Sequence, residues 1–469
     1  MAKNSLEIES KVSNKKNGKA STPAYFLSLT VENVRCFGPR QTLDLSDGNG
    51  QPSQWTLVLG NNGVGKTTLL QCLSLLTPKL DPLFGKFLKS LGKLDTQNSN
   101  QFLYPRAYDL RFKSFRESSH RNDKSTLNLS AVFSTRTKLN ERKSEGITGE
   151  SYFIEKHDKS AALSAIKDEL LKDFVCFGYG ASRRMGETSL SEKNEDDPFT
   201  SLFVGDVGLL NAEEWLLQAD YAASKPSHIR KRAAKRRNDI KDVLINLLPD
   251  VEDIRFVQLT EEQPKPSVEV KTPYGWVSIK DLSLGYKTLI AWMVDLASRL
   301  FDRYPNSPNP LAEPAVVLVD EIDLHLHPKW QRNLMSFLSE RFPNTQFIAT
   351  AHSPLVVQAA TDANIVLLRR EGDHVIIDNN VKAIQGWRVD QVLTSDLFGL
   401  ESARPPQLDN LLAERTKILS KARLTKKDKE KLQKIEAEIG ELPTGETPED
   451  IEAMDVIRRA AERLKAEGY

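Results

Sequence analysis

Gly60-Asn61-Asn62-Gly63-Val64-Gly65-Lys66-Thr67 constrains this chain more than any other stretch. Its glycines make a loop that turns tightly, because glycine alone reaches positive φ without steric cost. The spacing is that of G-x-x-x-x-G-K-[ST]. Before it, the apolar run Trp55 to Leu59 reads as a buried β-strand. After it, Thr68, Leu69, Leu70 and Leu73 read as a helix with one apolar face. Strand, loop and helix in that order turn successive backbone N–H groups inward at a helix N-terminus, where anions are favoured. Residues Gly60 to Thr68 are therefore expected to cradle the phosphates of a nucleoside triphosphate. Lys66 would reach the β- and γ-phosphates, and the Thr67 hydroxyl would ligate Mg²⁺.

A second element extends this from binding to hydrolysis. Ala315-Val316-Val317-Leu318-Val319 is a continuous apolar run, the pattern of a strand buried on both faces, and it ends in Asp320-Glu321. Asp320 is placed to hold Mg²⁺ through water, and Glu321 to accept a proton from the attacking water. Binding alone does not require the second carboxylate. Upstream stands Leu282-Ser283-Leu284-Gly285-Tyr286-Lys287-Thr288, with Ser283 as a helix N-cap, Gly285 permitting close backbone approach, and an amphipathic run from Ile290 to Leu300. Downstream, the short strand Gln346 to Thr350 leads into Ala351-His352-Ser353-Pro354.

Together these strings resemble the ABC-type ATPases. Leu282 to Thr288 is similar to their signature motif, departing from it where Leu284 replaces a second glycine and Tyr286 stands near an expected glutamine or glutamate. His352 resembles their switch histidine, which implies a hydrogen bond to the γ-phosphate and a role in orienting water. Asp320-Glu321-Ile322-Asp323-Leu324-His325-Leu326-His327-Pro328 looks like the RecF-like and SMC-like branch. Phe177 to Arg183, Trp215-Leu216, Trp330-Gln331-Arg332 and Phe342 to Phe347 are similar to the bare-head ATPases of bacterial anti-phage systems, the PtuA type of Septu and its retron-linked relatives. The resemblance covers residues 24 to 400.

It implies an α/β fold: an ABC-type P-loop ATPase head with a mixed sheet, flanking helices and a helical lobe, followed by a C-terminal helical segment. It also implies that two heads sandwich ATP, the phosphate loop of one facing Ser283 and Gly285 of the other, with Glu321, His352 and Lys66 catalytic. In RecF-like heads an arginine and an aromatic residue beside the nucleoside correspond to Arg35 and Phe37, which follow the strand-like Phe26 to Val31. Gln101 is a candidate for the Mg²⁺-sensing glutamine, although no local pattern singles it out. Arg183 reads either as a neighbour of the nucleotide or as the cap of a strand. His325 and His327 have the H-x-H spacing of a metal site. With no further ligands in evidence, they are read instead as part of a loop that in the family faces the partner head.

Residues 1–23 read as a disordered basic tail, 24–400 as the head with a helical insertion at about 200–250, and 401–469 as a helical docking or oligomerisation segment. In the last, Leu408, Leu411, Leu412, Ile418 and Leu419 form a helical stripe after Pro405-Pro406. Thr425-Lys426-Lys427-Asp428 resembles a capping box opening a helix to about Ile439, and Thr447-Pro448-Glu449 opens a third. No apolar run approaches the roughly 20 residues of a membrane span, and no signal-peptide core is present, so a soluble cytoplasmic protein is expected. Cys36, Cys72 and Cys176 lack C-x-x-C spacing, as suits reduced thiols.

A net charge of +1 gives no global argument for nucleic acid, but Arg230, Lys231, Arg232, Lys235, Arg236 and Arg237 fall within ten residues. They read equally as a phosphate-backbone contact and as a solvated or protein-facing helix surface. Ser189 to Pro198 reads as an exposed acidic loop. The interval from Lys66 to Ser283 is too short for SMC-type coiled-coil arms. No D-x-D follows His352, as the TOPRIM nuclease of overcoming-lysogenization relatives would require. The family resemblance therefore implies an ATPase regulating a separate effector nuclease, for Septu an HNH protein. The alternatives are a RecF-type DNA-repair ATPase and a stand-alone regulatory ATP binder.

Overall fold

The apolar runs at Trp55 and Ala315 become neighbours in one sheet only through the strand between them, and that arrangement places the phosphate loop. The computed structural model describes residues 23–80, 103–105, 127–135, 146–155, 162–164, 171, 174–187, 189–190, 197–258, 265–381, 386–421 and 425–439. The expected basic tail before Pro23, Gln101 and the helix expected from Thr447 lie outside these residues. Two units are distinguished, Met1–Val392 and Leu393–Tyr469.

In the first unit, β1 (Ala24–Glu32), β2 (Gln41–Asp44), β3 (Trp55–Gly60) and the short pair β4 (Pro78–Leu80) and β5 (Leu103–Pro105) precede β6 (Leu127–Thr135), β7 (Gly146–Glu155) and β8 (Ala162–Ser164). Then come β9 (Cys176–Tyr179), the hairpin strands β10 (Asp253–Val257), β11 (Ser267–Thr272) and β12 (Gly275–Ser278), and finally β13 (Ala315–Val319), β14 (Thr345–Thr350), β15 (Asn364–Glu371) and β16 (His374–Asp378). The main sheet runs β16-β15-β3-β14-β13-β9. Its pairings are parallel except β15 with β16. Every residue of β13 and β14 is buried, as expected for parallel strands covered on both faces. A second, antiparallel sheet has the order β2-β1-β6-β7-β8, and a third has the order β10-β11-β12.

The helix after the loop, α1 (Lys66–Leu76), lies between the first two sheets, touching β6 on one side and β3, β13 and β14 on the other. It is buried continuously from Thr68 to Leu76, so the expectation of a single apolar face is corrected. Its polar residues are absorbed locally: Gln71 Nε2 donates to the Leu202 carbonyl at 2.7 Å, and Ser74 Oγ to the Gln71 carbonyl at 2.7 Å. Gln346 on β14 joins the sheets. Its side chain accepts from Phe26 N–H at 2.9 Å and donates to Phe26 O at 2.8 Å, beside the bulge in β1 between Phe26 and Ser28.

The helical insertion holds α2 (Thr200–Phe203), α3 (Ala212–Ser224) and α4 (Arg230–Leu247). Of these, α2 packs on β9 and α1, while α3 and α4 pack with α5 (Leu284–Arg303), where Trp215 stacks on Phe301 at 6.0 Å between centroids. The amphipathic face expected for Ile290 to Leu300 is likewise corrected, because α5 is buried without a break from Thr288 to Ser298. After the acidic turn come α6 (Pro328–Arg341), α7 (Pro354–Ala359) and α8 (Val389–Leu393). Asp197 and Pro198, expected in an exposed acidic loop, pack at the end of β9, where Gly178 N–H donates to the Pro198 carbonyl and Asp197 is only 8% exposed.

In the second unit, α9 (Pro406–Leu419) and α10 (Lys426–Ile439) pair through buried Ile418 and Ile435 and the ion pairs Arg415–Glu436 and Lys431–Glu414. The Thr425–Asp428 box forms as expected. Asp428 accepts from Thr425 N–H at 3.0 Å, and Asp428 N–H donates to Thr425 Oγ1 at 3.2 Å. Lys421 and Thr425 hold the Asp428 carboxyl well below the usual carboxylate range. No helix among the described residues is long and apolar enough to cross a membrane.

Candidate functional site

The loop after β3 has the backbone its sequence demands. Gly60 and Gly65 sit at φ +141° and +90°, and a Cβ on them would lie 2.6 Å from the Leu368 carbonyl oxygen and 2.4 Å from Cys36 Sγ respectively. Only glycine fits either place. Asn61, Asn62 and Gly63 are exposed, and Val64 is buried beneath them. Lys66 is 7% exposed, and its ammonium curls back onto the loop, donating to the Gly60 carbonyl at 2.7 Å and the Asn61 carbonyl at 3.0 Å. Burial lowers its pKa below the ordinary lysine value, and Asp320, Glu321 and Asp323 oppose that shift.

Three oxygen-bearing side chains meet in front of that lysine's helix. Thr67 Oγ1 donates to Asp320 Oδ2 at 2.7 Å, and Thr350 Oγ1 donates to Asp320 Oδ1 at 2.7 Å. Thr350 Oγ1 also accepts from Glu321 N–H at 2.7 Å. Asp320 is 5% exposed, so a hydroxyl–carboxylate cluster of hard oxygen donors is held at the end of β13, the donor chemistry Mg²⁺ prefers. Thr67 and Asp320, expected as metal-site residues from positions far apart in the chain, are thus in direct contact. Thr350 was not anticipated; the only hint was its place at the end of a strand, two residues before His352.

Glu321 sits at φ +47°, a left-handed conformation that costs a residue with a side chain about 1–3 kcal/mol unless its surroundings impose it. Those surroundings are hydrogen bonds. Besides the Thr350 contact, Ile322 N–H donates to the Thr350 carbonyl at 2.9 Å, and Arg183 Nη2 donates to the Glu321 carbonyl at 2.7 Å. Arg183 Nη1 also reaches the carbonyls of Asp320 and, at 3.1 Å, Gly180. Arg183 is 1% exposed. Of its two readings, neighbour of the nucleotide or strand cap, the structure supports a form of the second: it caps the carbonyls that follow β13. Burial brings its pKa down to about 10, partly offset by Asp320, Asp323 and Glu321.

His352 is exposed, and its backbone N–H donates to both oxygens of Asp323 at 3.0 and 3.2 Å. Asp323 and Gln331 were not anticipated as site residues. Gln331 Nε2 donates to the carbonyls of Asp323 at 3.3 Å and Leu326 at 2.9 Å, while Ser353 Oγ donates to Gln331 Oε1 at 2.6 Å. They bind the acidic loop to the segment carrying His352. Among the described residues no group of three or more His, Cys, Asp or Glu side chains is placed to hold a metal. His327 Nδ1 instead accepts from Lys329 N–H at 3.3 Å as the N-cap of α6.

Ser283 stands at the N-cap position of α5, but its side chain makes no capping hydrogen bond there. The close approach expected at Gly285 is real: a Cβ would lie 2.5 Å from the His325 carbonyl oxygen. Beside it, Tyr286 meets Trp330 edge-on at 4.6 Å and donates to the Pro249 carbonyl at 2.8 Å. Leu284 is 50% exposed.

One expectation is corrected. Phe37 is fully buried with its ring against Gly65, so it supports the loop from behind and offers no face to a nucleoside. Arg35 Nη1 donates to Gln71 Oε1 at 3.1 Å and Thr68 Oγ1 at 3.4 Å, tying its turn to α1. In the basic cluster on α4, Arg230, Lys231, Arg232 and Lys235 are exposed and Arg236 and Arg237 half-buried. Arg236 reaches the Phe301 carbonyl and lies over the Phe301 ring, Arg237 pairs with Asp220 at 2.7 Å, Lys235 pairs with Asp239 at 2.8 Å, and Arg230 donates to the Ala223 carbonyl at 3.1 Å.

Among solved structures, the chain is similar to the SMC head domain from Thermotoga maritima, with 16% identity and a TM-score of 0.36 over 76% of this chain and 99% of that one. It is also similar to the recombination mediator protein RecF-ATPrS, with 14% identity and a TM-score of 0.38 over 76% and 99%. Likenesses of that size carry no argument; the fold rests on the strand order and site above. Among curated proteins, it is 27% identical over 397 residues to the Septu protein PtuA of Bacillus mycoides (strain KBAB4), covering 84% of this chain and 47% of that protein. It is 34% identical over 202 residues to the Retron Ec83 probable ATPase of Escherichia coli, covering 42% and 35%. The chain thus spans less than half the length of these relatives. Residues 56–358, more than half of the chain and including both the phosphate loop and the acidic turn, match the family described as "AAA domain, putative AbiEii toxin, Type IV TA system", and the chain belongs to that family.

Proposed function

We propose that this chain is an ATP-hydrolysing subunit of a bacterial anti-phage defence system, and that its nucleotide state controls a partner effector nuclease. The observation that carries the catalytic part is the Thr67–Asp320–Thr350 cluster beside the Lys66 loop, with Glu321 next in the chain. The relatives named as a Septu protein and a retron ATPase support the biological setting. On binding, the loop N–H groups and Lys66 would take the phosphates, Lys66 exchanging its two carbonyl partners for phosphate oxygens. Thr67 and Asp320 would hold Mg²⁺, which neutralises charge on the phosphates. Glu321 then takes the proton of the attacking water, and exposed His352 orients that water. Two chains would face each other across ATP, with exposed Leu284 beside Ser283 on the mating surface.

Glu321→Gln tests the reading. Phosphate release is expected to fall by roughly 10²–10⁴-fold with ATP affinity retained. A variant that turns over ATP at the wild-type rate overturns it. For the regulatory part, the chain purified with the product of its neighbouring gene is assayed for nuclease activity with and without ATP. Activity indifferent to nucleotide defeats the proposed control. A DNA-repair role is less well supported, because Arg236 and Arg237 of the α4 cluster are half-buried in contacts with Phe301 and Asp220.

A further inference from the structure

We propose that Arg183 is a positioning residue for hydrolysis: its guanidinium fork fixes the left-handed turn at Asp320-Glu321 and ties that turn to α5 through Trp292. The inference rests on the reading of Glu321 as the proton acceptor, and it adds a residue and a route that the motifs do not contain.

The geometry is unusual for a residue serving stability alone. Arg183 directs its fork at main-chain oxygens, those of Asp320, Glu321 and Gly180. A guanidinium presents donors on two terminal nitrogens in one rigid plane, so it holds two successive carbonyls in a fixed mutual geometry. Held together, those carbonyls fix the peptide plane between Asp320 and Glu321 and hence the direction in which the Glu321 side chain leaves the backbone. Glu321 at φ +47° is the kind of conformation that persists only where the surroundings over-determine it.

The arrangement is also costly. Arg183 is 1% exposed, and both its Nε and the indole Nε1 of Trp292 are buried without a hydrogen-bond partner. Each such donor has given up its hydration with no bond in return. Replacing buried charge with well-packed apolar side chains is often neutral or stabilising, so fold stability gives no reason for an arginine here.

Trp292 supplies the route. The Arg183 guanidinium lies 5.5 Å from the centre of its ring, and Tyr179, at the end of β9, meets the same ring edge-on at 6.1 Å. Tyr179 in turn donates to Asp295 at 2.9 Å, one turn further along α5. The helix that begins at Ser283 and Gly285 therefore carries, in its buried middle, the ring on which the guanidinium rests. A shift of α5 when a second head engages its N-terminus would reach the Glu321 carbonyl through two contacts.

The test compares full-length wild type, Arg183→Lys and Arg183→Ala. Each is titrated with a fluorescent ATP analogue and assayed for steady-state ATP hydrolysis, with and without guanidinium chloride below denaturing concentration. The expected result is unchanged nucleotide affinity and KM, a kcat lower by roughly 100-fold, as for a reacting group displaced by about an ångström, and partial rescue of Arg183→Ala by guanidinium. Variants with wild-type kcat overturn the inference. So does a joint loss of affinity and kcat that guanidinium does not restore, since that marks a general structural role. If Arg183→Ala does not fold, Arg183→Lys carries the comparison, because it keeps charge and stem but lacks the planar fork whose two terminal nitrogens are split between the carbonyls. A wild-type chain that binds the analogue yet never hydrolyses ATP defeats the ATPase reading itself, a result distinct from normal hydrolysis in all three proteins.

Discussion

Gly65 is pinned by two independent constraints, a φ of +90° and a Cys36 sulfur 2.4 Å from where a Cβ would stand. Gly65→Ala is therefore expected to lose about 1–3 kcal/mol in chemical denaturation and to abolish binding of a fluorescent ATP analogue. Cys72, fully buried on α1, gives a pH-dependent prediction. Burial pushes its thiol from 9.0 up to about 12, so the folded chain keeps a proton that the unfolded chain releases. That contribution is complete below pH 9 and declines as pH rises from 9 towards 12, by at most about 1.4 kcal/mol per pH unit. Cys72→Ala should show a shallower alkaline loss in denaturation measured across that range; identical slopes would refute it. At this scale the sequence was most legible where chemistry dictates spacing: Lys66, Thr67, Asp320 and Glu321 are recognised by type and position. Thr350, Asp323, Gln331 and the contacts of Arg183 were not, because their roles are hydrogen bonds to residues distant in the chain. Phe37 was misread because an aromatic residue near a nucleotide loop serves equally well as packing behind it.

Elements built from continuous apolar runs were read correctly, since β3, β13 and β14 are buried on both faces and need no periodicity to declare themselves. Helices α1 and α5 were taken for one-faced, because Thr, Ser and Gln on their other sides look solvent-directed; on α1, Gln71 is instead satisfied by the Leu202 carbonyl and Ser74 by the Gln71 carbonyl. The start of α5 is expected to be intolerant of bulk. Gly285→Ala places a methyl 2.5 Å from the His325 carbonyl oxygen, between two backbone segments that cannot yield as a side chain does. It should lower the thermal midpoint and reduce ATP hydrolysis more than it reduces ATP binding, as checked by melting curves and paired binding and turnover assays. Within α4, Arg237→Ala removes a partly buried ion pair with Asp220 and should destabilise the chain more than Lys231→Ala, whose side chain is exposed. Equal melting points for the two would contradict this.

Across the whole molecule, the proposed function turns nucleotide binding into association. Glu321→Gln with ATP is expected to move from monomer to dimer mass in light scattering, and Lys66→Ala to remain monomeric under the same conditions. Unchanged mass for Glu321→Gln would count against paired heads. The topology that brings β3, β13 and β14 together was implied by the order of the motifs, but the joining of the two sheets was not, because Gln346 and Phe26 lie 320 positions apart. That clasp has a consequence for slow motions. One amide side chain answers both main-chain groups of Phe26 where the β1 bulge interrupts regular pairing, so deuterium uptake at that position should lag behind its neighbours and speed up selectively in Gln346→Leu, reporting the instant at which the two layers part.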